Sequence, residues 1–166
     1  MLAEGQLVIY GIHGVCRITG VETRTVDRKR ADYYVLSPLD QAGACFYIPT
    51  HNQIAVSKLR PLLTRQELET LIRSPEANQN TWIADENQRK MRYRELIGSG
   101  DRAALMCMVR TLLKHKDDQL AAGRKFHLCD ENFLRDAQKL LSAEFSLVLQ
   151  IPVDQVGAYL QQHMEV

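Results

Sequence analysis

An α+β protein is predicted, with a small N-terminal β-barrel followed by an all-helical domain, and three observations predict it. Short strand-like runs punctuated by glycine fill residues 5–60. At Thr64 the hydrophobic period changes from about two residues to about 3.6, the switch from a pleated strand to a helix. Apolar residues then recur at helical spacing as far as Tyr159 and Leu160. A chain of 166 residues, 45% hydrophobic, can bury one good core or two small ones. Two domains are therefore expected, 1–62 and 63–166, with a boundary as late as residue 80.

The strands are justified in order. Residues 6–10 alternate and then run apolar, and residues 15–24 follow a turn at Gly11 and Gly14, with Gly20 marking a bulge or bend. The polar run Val26-Asp27-Arg28-Lys29-Arg30 reads as a hairpin tip. Residues 32–37 are rich in Tyr and Val, which suit a pleated surface, and Pro38 closes that strand. Residues 40–43 make the next turn, 44–48 form a further strand ending before Pro49, and 53–56 are expected to complete a five-stranded barrel that hides its edges by curling.

The helices follow. Thr64 with Glu67 three positions later forms a capping box, and Leu68, Leu71 and Ile72 continue the turn until Ser74-Pro75 stops it. Residues 76–80 read as a polar connector and the best place for a module boundary. A long, sparsely apolar surface helix is expected over residues 81–97. Ser99-Gly100-Asp101 ends one helix with a left-handed glycine and starts the next with a carboxylate. Leu105, Met106, Val109, Leu112 and Leu113 line one face, the methionines as core filling. Residues 114–125 are charged, contain Gly123 and read as a loop or frayed extension. Phe133, Leu134, Ala137, Leu140, Leu141 and Phe145 form another buried stripe. Pro152, Val156, Tyr159 and Leu160 mark a last short helix.

Composition narrows the function. Lys and Arg total 21 against 20 Asp and Glu, so no global field draws the chain to nucleic acid or an anionic membrane, and any such contact needs a local cluster. No apolar run approaches the roughly 20 residues of a membrane span, and the N-terminus lacks a signal-peptide pattern, so a soluble cytoplasmic protein is expected. Cys16, Cys45, Cys107 and Cys129 are too scattered for a CxxC pair and read as structural thiols; Cys129 with His127 or His115 lacks the spacing of a four-ligand zinc site. His13 near Cys16 has the residue types of a nucleophile and its base but reads better as a turn residue before Gly14. The acid pairs Asp117-Asp118 and Asp130-Glu131 read as helix-end or loop carboxylates. With no P-loop, dinucleotide fingerprint or HExxH motif, a non-enzymatic protein without cofactor, metal or small-molecule substrate is expected.

Residues Gly5, Tyr10, His13-Gly14, Ile18, Tyr33-Tyr34-Val35-Leu36, Ile48-Pro49 and Leu59-Arg60 together resemble the RNA polymerase-interacting domain of CarD/CdnL-type transcription regulators, a domain shared with transcription-repair coupling factor. Ser99-Gly100-Asp101, Val109-Arg110, Leu112, Phe133-Leu134, Ala137, Leu140-Leu141 and Glu144 look like the helical domain of the same regulators. The resemblance implies a Tudor-like barrel that grips the β subunit of bacterial RNA polymerase. It also implies a helical domain that meets promoter DNA at the upstream edge of the transcription bubble and stabilises the open complex. There a tryptophan wedges against the minor groove while basic side chains hold phosphates, neither of which requires sequence readout. A protein-only adaptor that binds polymerase without touching DNA is the alternative.

Carried over residue by residue, the resemblance assigns Arg24 to the polymerase contact. The family's arginine two residues before the fourth-strand proline is replaced by Tyr47, an aromatic that also suits an interface. The family's wedge position falls on Glu86, four residues after Trp82, the only tryptophan. Four residues turn a helix by about 400°, so Trp82 is expected one turn away on the same face, either meeting DNA or packing on neighbouring elements. Arg89, Lys90, Arg92 and Arg94 form the densest basic cluster and are read as phosphate contacts, against the plainer reading of a solvated helix face. Arg110 is read as structural.

Overall fold

In the computed structural model, which describes residues 2–163, the chain divides into two compact units, Met1–Leu62 and Leu63–Val166. The first is a five-stranded antiparallel sheet in the order β4-β3-β2-β1-β5, built from β1 (Leu7–Tyr10), β2 (Val15–Val26), β3 (Lys29–Pro38), β4 (Phe46–Pro49) and β5 (Leu59–Pro61). A 3₁₀ turn, Gly11–His13, joins the first two strands. Ile18 faces Leu36 and Gly20 faces Val35, so Thr19 is bulged, and its Oγ1 donates to the Val35 carbonyl at 3.3 Å. The bulge predicted near Gly20 is thus present. The alternation of β2 and β3 puts Cys16, Ile18, Tyr34 and Leu36 on one face, where they pack with Val8, Ile48 and Leu59.

The barrel does not close. Strands β4 and β5 are the two edges, and residues 53–56, predicted as a closing strand, instead form the helix α1 (Gln53–Ser57), which packs against both. The local reason is Asn52, whose side chain accepts the Ala55 N–H at 3.1 Å and caps a helical turn. A helix therefore spans the gap that a strand pair was expected to seal.

The β2–β3 hairpin turns through Asp27 and Arg28, both at positive φ (51° and 64°), as a two-residue type I′ loop demands. The second of these positions favours Gly, and holding Arg28 there costs about 1–2 kcal/mol.

The second unit is helical: α2 (Arg65–Ile72), α3 (Glu86–Ser99), α4 (Arg102–Ala121), α5 (Leu128–Leu149) and α6 (Val156–His163). Thr64 and Glu67 form the expected capping box on α2, of the kind that contributes about 1 kcal/mol. Gly100 adopts the left-handed conformation (φ 70°) and Asp101 caps α4 by accepting the Ala104 N–H. The core gathers Leu68, Ile72, Tyr93, Leu105, Met106, Met108, Leu112, Leu134, Ala137, Leu141 and Phe145. Buried Glu144 on α5 ties this unit together: its carboxylate accepts from Arg102 Nε (2.6 Å) and Nη2 (2.7 Å) and from the Leu63 N–H (2.9 Å).

Three helical expectations are corrected. Residues 76–80 are not a linker between units: Ala77 is fully buried and the Asn78 side chain donates to the Ile72 and Ser74 carbonyls at the end of α2. The charged stretch after Leu113 continues α4 to Ala121, supported by a Lys114–Asp118 pair one turn apart and by Lys116 reaching Glu131 on α5. Helix α3 begins at Glu86, capped by Asp85, so Trp82 lies in the irregular segment before it. Cys45 is exposed rather than packed, whereas Cys16 and Cys107 are buried.

Candidate functional site

Two places collect the residues singled out by sequence, one in each unit. In the first, Arg24 on β2 and Tyr47 on β4 meet side by side. Register explains why: Gly20 pairs with Val35 and Val35 with Tyr47, so Tyr47 shares the face of β2 that carries Gly20, Glu22 and Arg24, opposite the buried core. The Arg24 guanidinium carbon lies 4.1 Å from the Tyr47 ring centroid, a cation–π contact between two exposed side chains. Tyr47 is 38% exposed. An arginine flattened on an aromatic ring keeps most of its donors outward, so the pair presents a rigid, cationic, amphipathic spot to a partner.

His13 is packed on Phe46 (4.2 Å) and Tyr10 (5.3 Å). Cys16 is fully buried, and burial first, then the charge of Asp40, pushes its thiol up to about 11, far from an activated thiolate.

The second site is built around the Trp82 segment. The Thr81 N–H donates to Thr111 Oγ1 at 3.0 Å, Thr81 Oγ1 lies 3.4 Å from Cys107 Sγ, and that thiol also donates to the Gln79 carbonyl at 3.3 Å. These bonds strap residues 79–81 onto α4. Trp82 then stacks on His115 with ring centroids 3.6 Å apart and planes 15° from parallel, and the Arg89 guanidinium carbon sits 4.5 Å from the indole centroid. The indole remains 36% exposed.

Arg89, expected as a phosphate contact, is corrected: it is a buried structural residue. It is 3% exposed and makes a bidentate pair with Asp130, which is fully buried, through Nε–Oδ1 (2.9 Å) and Nη2–Oδ2 (3.0 Å), while Nη1 donates to the Ile83 carbonyl (3.0 Å). Burial alone would pull the guanidinium's pKa down; the hydrogen bonds and charge of Asp130 outweigh it, so the pKa is raised. With its fork filled, Arg89 cannot reach a phosphate without leaving a buried carboxylate unpaired.

The remaining cations of α3 diverge. Lys90 pairs with Glu86 (3.0 Å), whose carboxyl that hydrogen bond holds below its usual range, and Arg92 pairs with Glu95 (3.4 Å). Both pairs are largely exposed and worth little, so an incoming phosphate can replace either carboxylate. Arg94 is exposed.

Asp130 and His115 were not singled out for this cluster. Asp130 stands four residues before Leu134 on the stripe that continues through Ala137, Leu141 and Phe145, which is the signal that it points inward. Arg89 likewise precedes Tyr93 and Leu96 on the buried face of α3. Tyr93 lies beside this pair with its hydroxyl buried and without a hydrogen-bond partner among the described residues, and burial followed by the Asp130 charge pushes it up to about 12. The His115 pKa is lowered, first by burial and then by Arg89 against the opposing pull of Asp130, which favours the neutral ring that stacks on the indole. Arg110 Nη1 donates to Asn78 Oδ1 at 3.3 Å.

Among the described residues no helix is long and apolar enough to cross a membrane. No curated protein matches the chain. A family model, the CarD-like/TRCF RID domain, matches residues 2–61, nearly the whole of the first unit and none of the second. That family implies RNA polymerase binding and a role in transcription regulation. Over residues 2–61, the open five-stranded sheet bearing Arg24 and Tyr47 is similar to the CarD-like/TRCF RNA polymerase-interacting domains.

Proposed function

We propose that the protein is a bacterial, cytoplasmic transcription regulator that grips the β subunit of RNA polymerase through Arg24 and Tyr47 and stabilises the promoter open complex through its helical unit, without catalysis. The observation that carries this reading is the exposed Arg24–Tyr47 pair, 4.1 Å apart, inside a domain of that family. A charge-reversing Arg24→Glu substitution places a carboxylate on the patch; capture of an isolated β-subunit fragment should fall by roughly 30-fold or more, about 2 kcal/mol or above, as for a paired interface charge. Equal capture by wild type and variant would remove Arg24 from the interface.

For DNA, the reading rests on the partly exposed indole of Trp82, held by His115, with Lys90, Arg92 and Arg94 as the phosphate contacts. Binding only the melted promoter shifts the equilibrium toward it. A protein-only adaptor is the second reading, favoured by the loss of Arg89 to Asp130 and by the ion pairs of Lys90 and Arg92. Promoter-complex lifetime with polymerase separates them: Trp82→Ala and Arg94→Glu each shorten it under the first reading and leave it unchanged under the second.

A further inference from the structure

The β2–β3 hairpin runs on well past the rest of its sheet. β1 pairs with β2 only at residues 15–17 and β4 with β3 only at residues 33–36, so from Arg24–Ala31 to Val26–Lys29 the ladder is a bare two-stranded ribbon. Residues 21–30 are all exposed. Two steps separate the Arg24–Ala31 pair from Val26–Lys29, which at about 3.4 Å per step gives roughly 7 Å of bare ribbon, with the Asp27–Arg28 turn beyond it. The Thr23 hydroxyl donates to Asp32 across the ribbon at 2.6 Å and braces its base.

Charge concentrates at the tip. Residues 24–30 hold Arg24, Arg28, Lys29 and Arg30 against the single carboxylate of Asp27, in a chain whose net charge is +1. Arg24 lies on Tyr47, while Arg28, Lys29 and Arg30 form no ion pair among the described residues. Strand register distributes these three: Lys29 opposes Val26 on the face of Arg24, Arg30 opposes Thr25 on the other face, and Arg28 projects from the turn itself.

We infer that this ribbon is a second nucleic-acid contact, entering the major groove of double-stranded DNA and holding its phosphates. An acidic protein patch would meet one face of a ribbon. Cations on both faces and at the end suit a channel walled on two sides by negative charge. The major groove, about 12 Å wide and about 8.5 Å deep, admits a two-stranded ribbon, and the bare ribbon with its turn and its long cationic side chains is of a size with that depth. Residues 24–30 contain no Asn or Gln to read adenine, and their cations bind phosphates in a salt-dependent way. The contact belongs to the first unit.

The test uses the full chain and a labelled random-sequence DNA duplex, followed by fluorescence anisotropy between roughly 50 and 200 mM salt. The triple variant Arg28→Gly, Lys29→Thr, Arg30→Thr keeps residues suited to the turn and strands. It should bind at least about ten-fold more weakly at the lower salt, with the slope of log affinity against log salt shallower by about 2 to 3. The charge-preserving pair Arg28→Lys, Arg30→Lys should keep the wild-type slope. Trp82→Ala, measured in parallel, reports on the helical unit alone and leaves the ribbon's slope change in place. Unchanged affinity and slope in a triple variant with wild-type circular dichroism would overturn the inference. So would collapse of binding in the lysine variant, or displacement of the duplex by polyglutamate at equal charge concentration, which would assign the ribbon to an acidic protein partner.

Discussion

Two arginines in this chain lie over aromatic rings at nearly the same distance, Arg24 over Tyr47 at 4.1 Å and Arg89 over Trp82 at 4.5 Å, yet their surroundings are opposite. Arg24 stands on the open face of a sheet with no ion pair among the described residues, so its donors face outward. Arg89 points into the helical unit, where Asp130 fills the fork and the Ile83 carbonyl takes another donor. The aromatic contact alone does not tell an exposed arginine from a locked one; the carboxylate does. In the second unit the ring is what is presented, and the arginine is its support.

The largest expected effect comes from breaking the support. Asp130→Ala leaves a buried guanidinium unpaired, at a cost of about 3–5 kcal/mol, seen as a large fall in the thermal midpoint of the helical unit. Arg24→Ala, on an exposed strand, should shift stability by no more than about 0.5 kcal/mol. Equal shifts in the two variants would break the contrast between a locked arginine and an open one.

The rings should differ in the same sense, by less. Trp82→Ala loses a stacked neighbour and a cation–π contact, together about 1–2 kcal/mol. Tyr47→Ala loses one exposed cation–π contact, under about 1 kcal/mol, while its polymerase capture weakens. Chemical denaturation of both variants measures the difference. A Tyr47 loss equal to that of Trp82 would mean that the first patch is also a packed structure.

This contrast was only partly legible in the sequence. Strand alternation, the Thr64 capping box and Gly100-Asp101 are local signals, and the strands and helices they predict are present. Closure of the sheet was not local: it depended on whether residues 53–56 paired with an edge, and the Asn52 cap turned them into a helix. The density of cations around Arg89 looked like a DNA face because linear spacing hides burial. Only the inward stripes, Arg89-Tyr93-Leu96 on α3 and Asp130-Leu134-Ala137 on α5, carry the information that these two charges face each other across 41 residues. The four-residue offset of Trp82 was read as one helical turn, but Asp85 starts α3 after it, so helix geometry does not apply to that ring.

The smallest expected effect concerns His115, on which Trp82 rests. The groups that bear on it are the rings of Trp82 and Phe126 and the charges of Asp130, Arg89, Asp118 and His127. Its folded pKa lies below the ordinary value of about 6.5, because burial and Arg89 disfavour the imidazolium. As pH falls through about 6.5 the unfolded chain takes up a proton that the folded ring refuses, so stability declines; the decline ends once pH drops below the folded value and both states are protonated. Above that window His115 contributes nothing to the pH dependence. His115→Phe keeps a flat ring beside Trp82 and removes the titration, so the wild-type minus variant stability should decrease from neutral pH toward pH values below about 6.5. The emission of the single tryptophan provides the readout in the same titration, since it reports the ring directly in contact with His115. A difference curve that stays flat across that window would remove the neutral imidazole from the support of Trp82 and leave Arg89, fixed by Asp130, as what holds the indole at the surface.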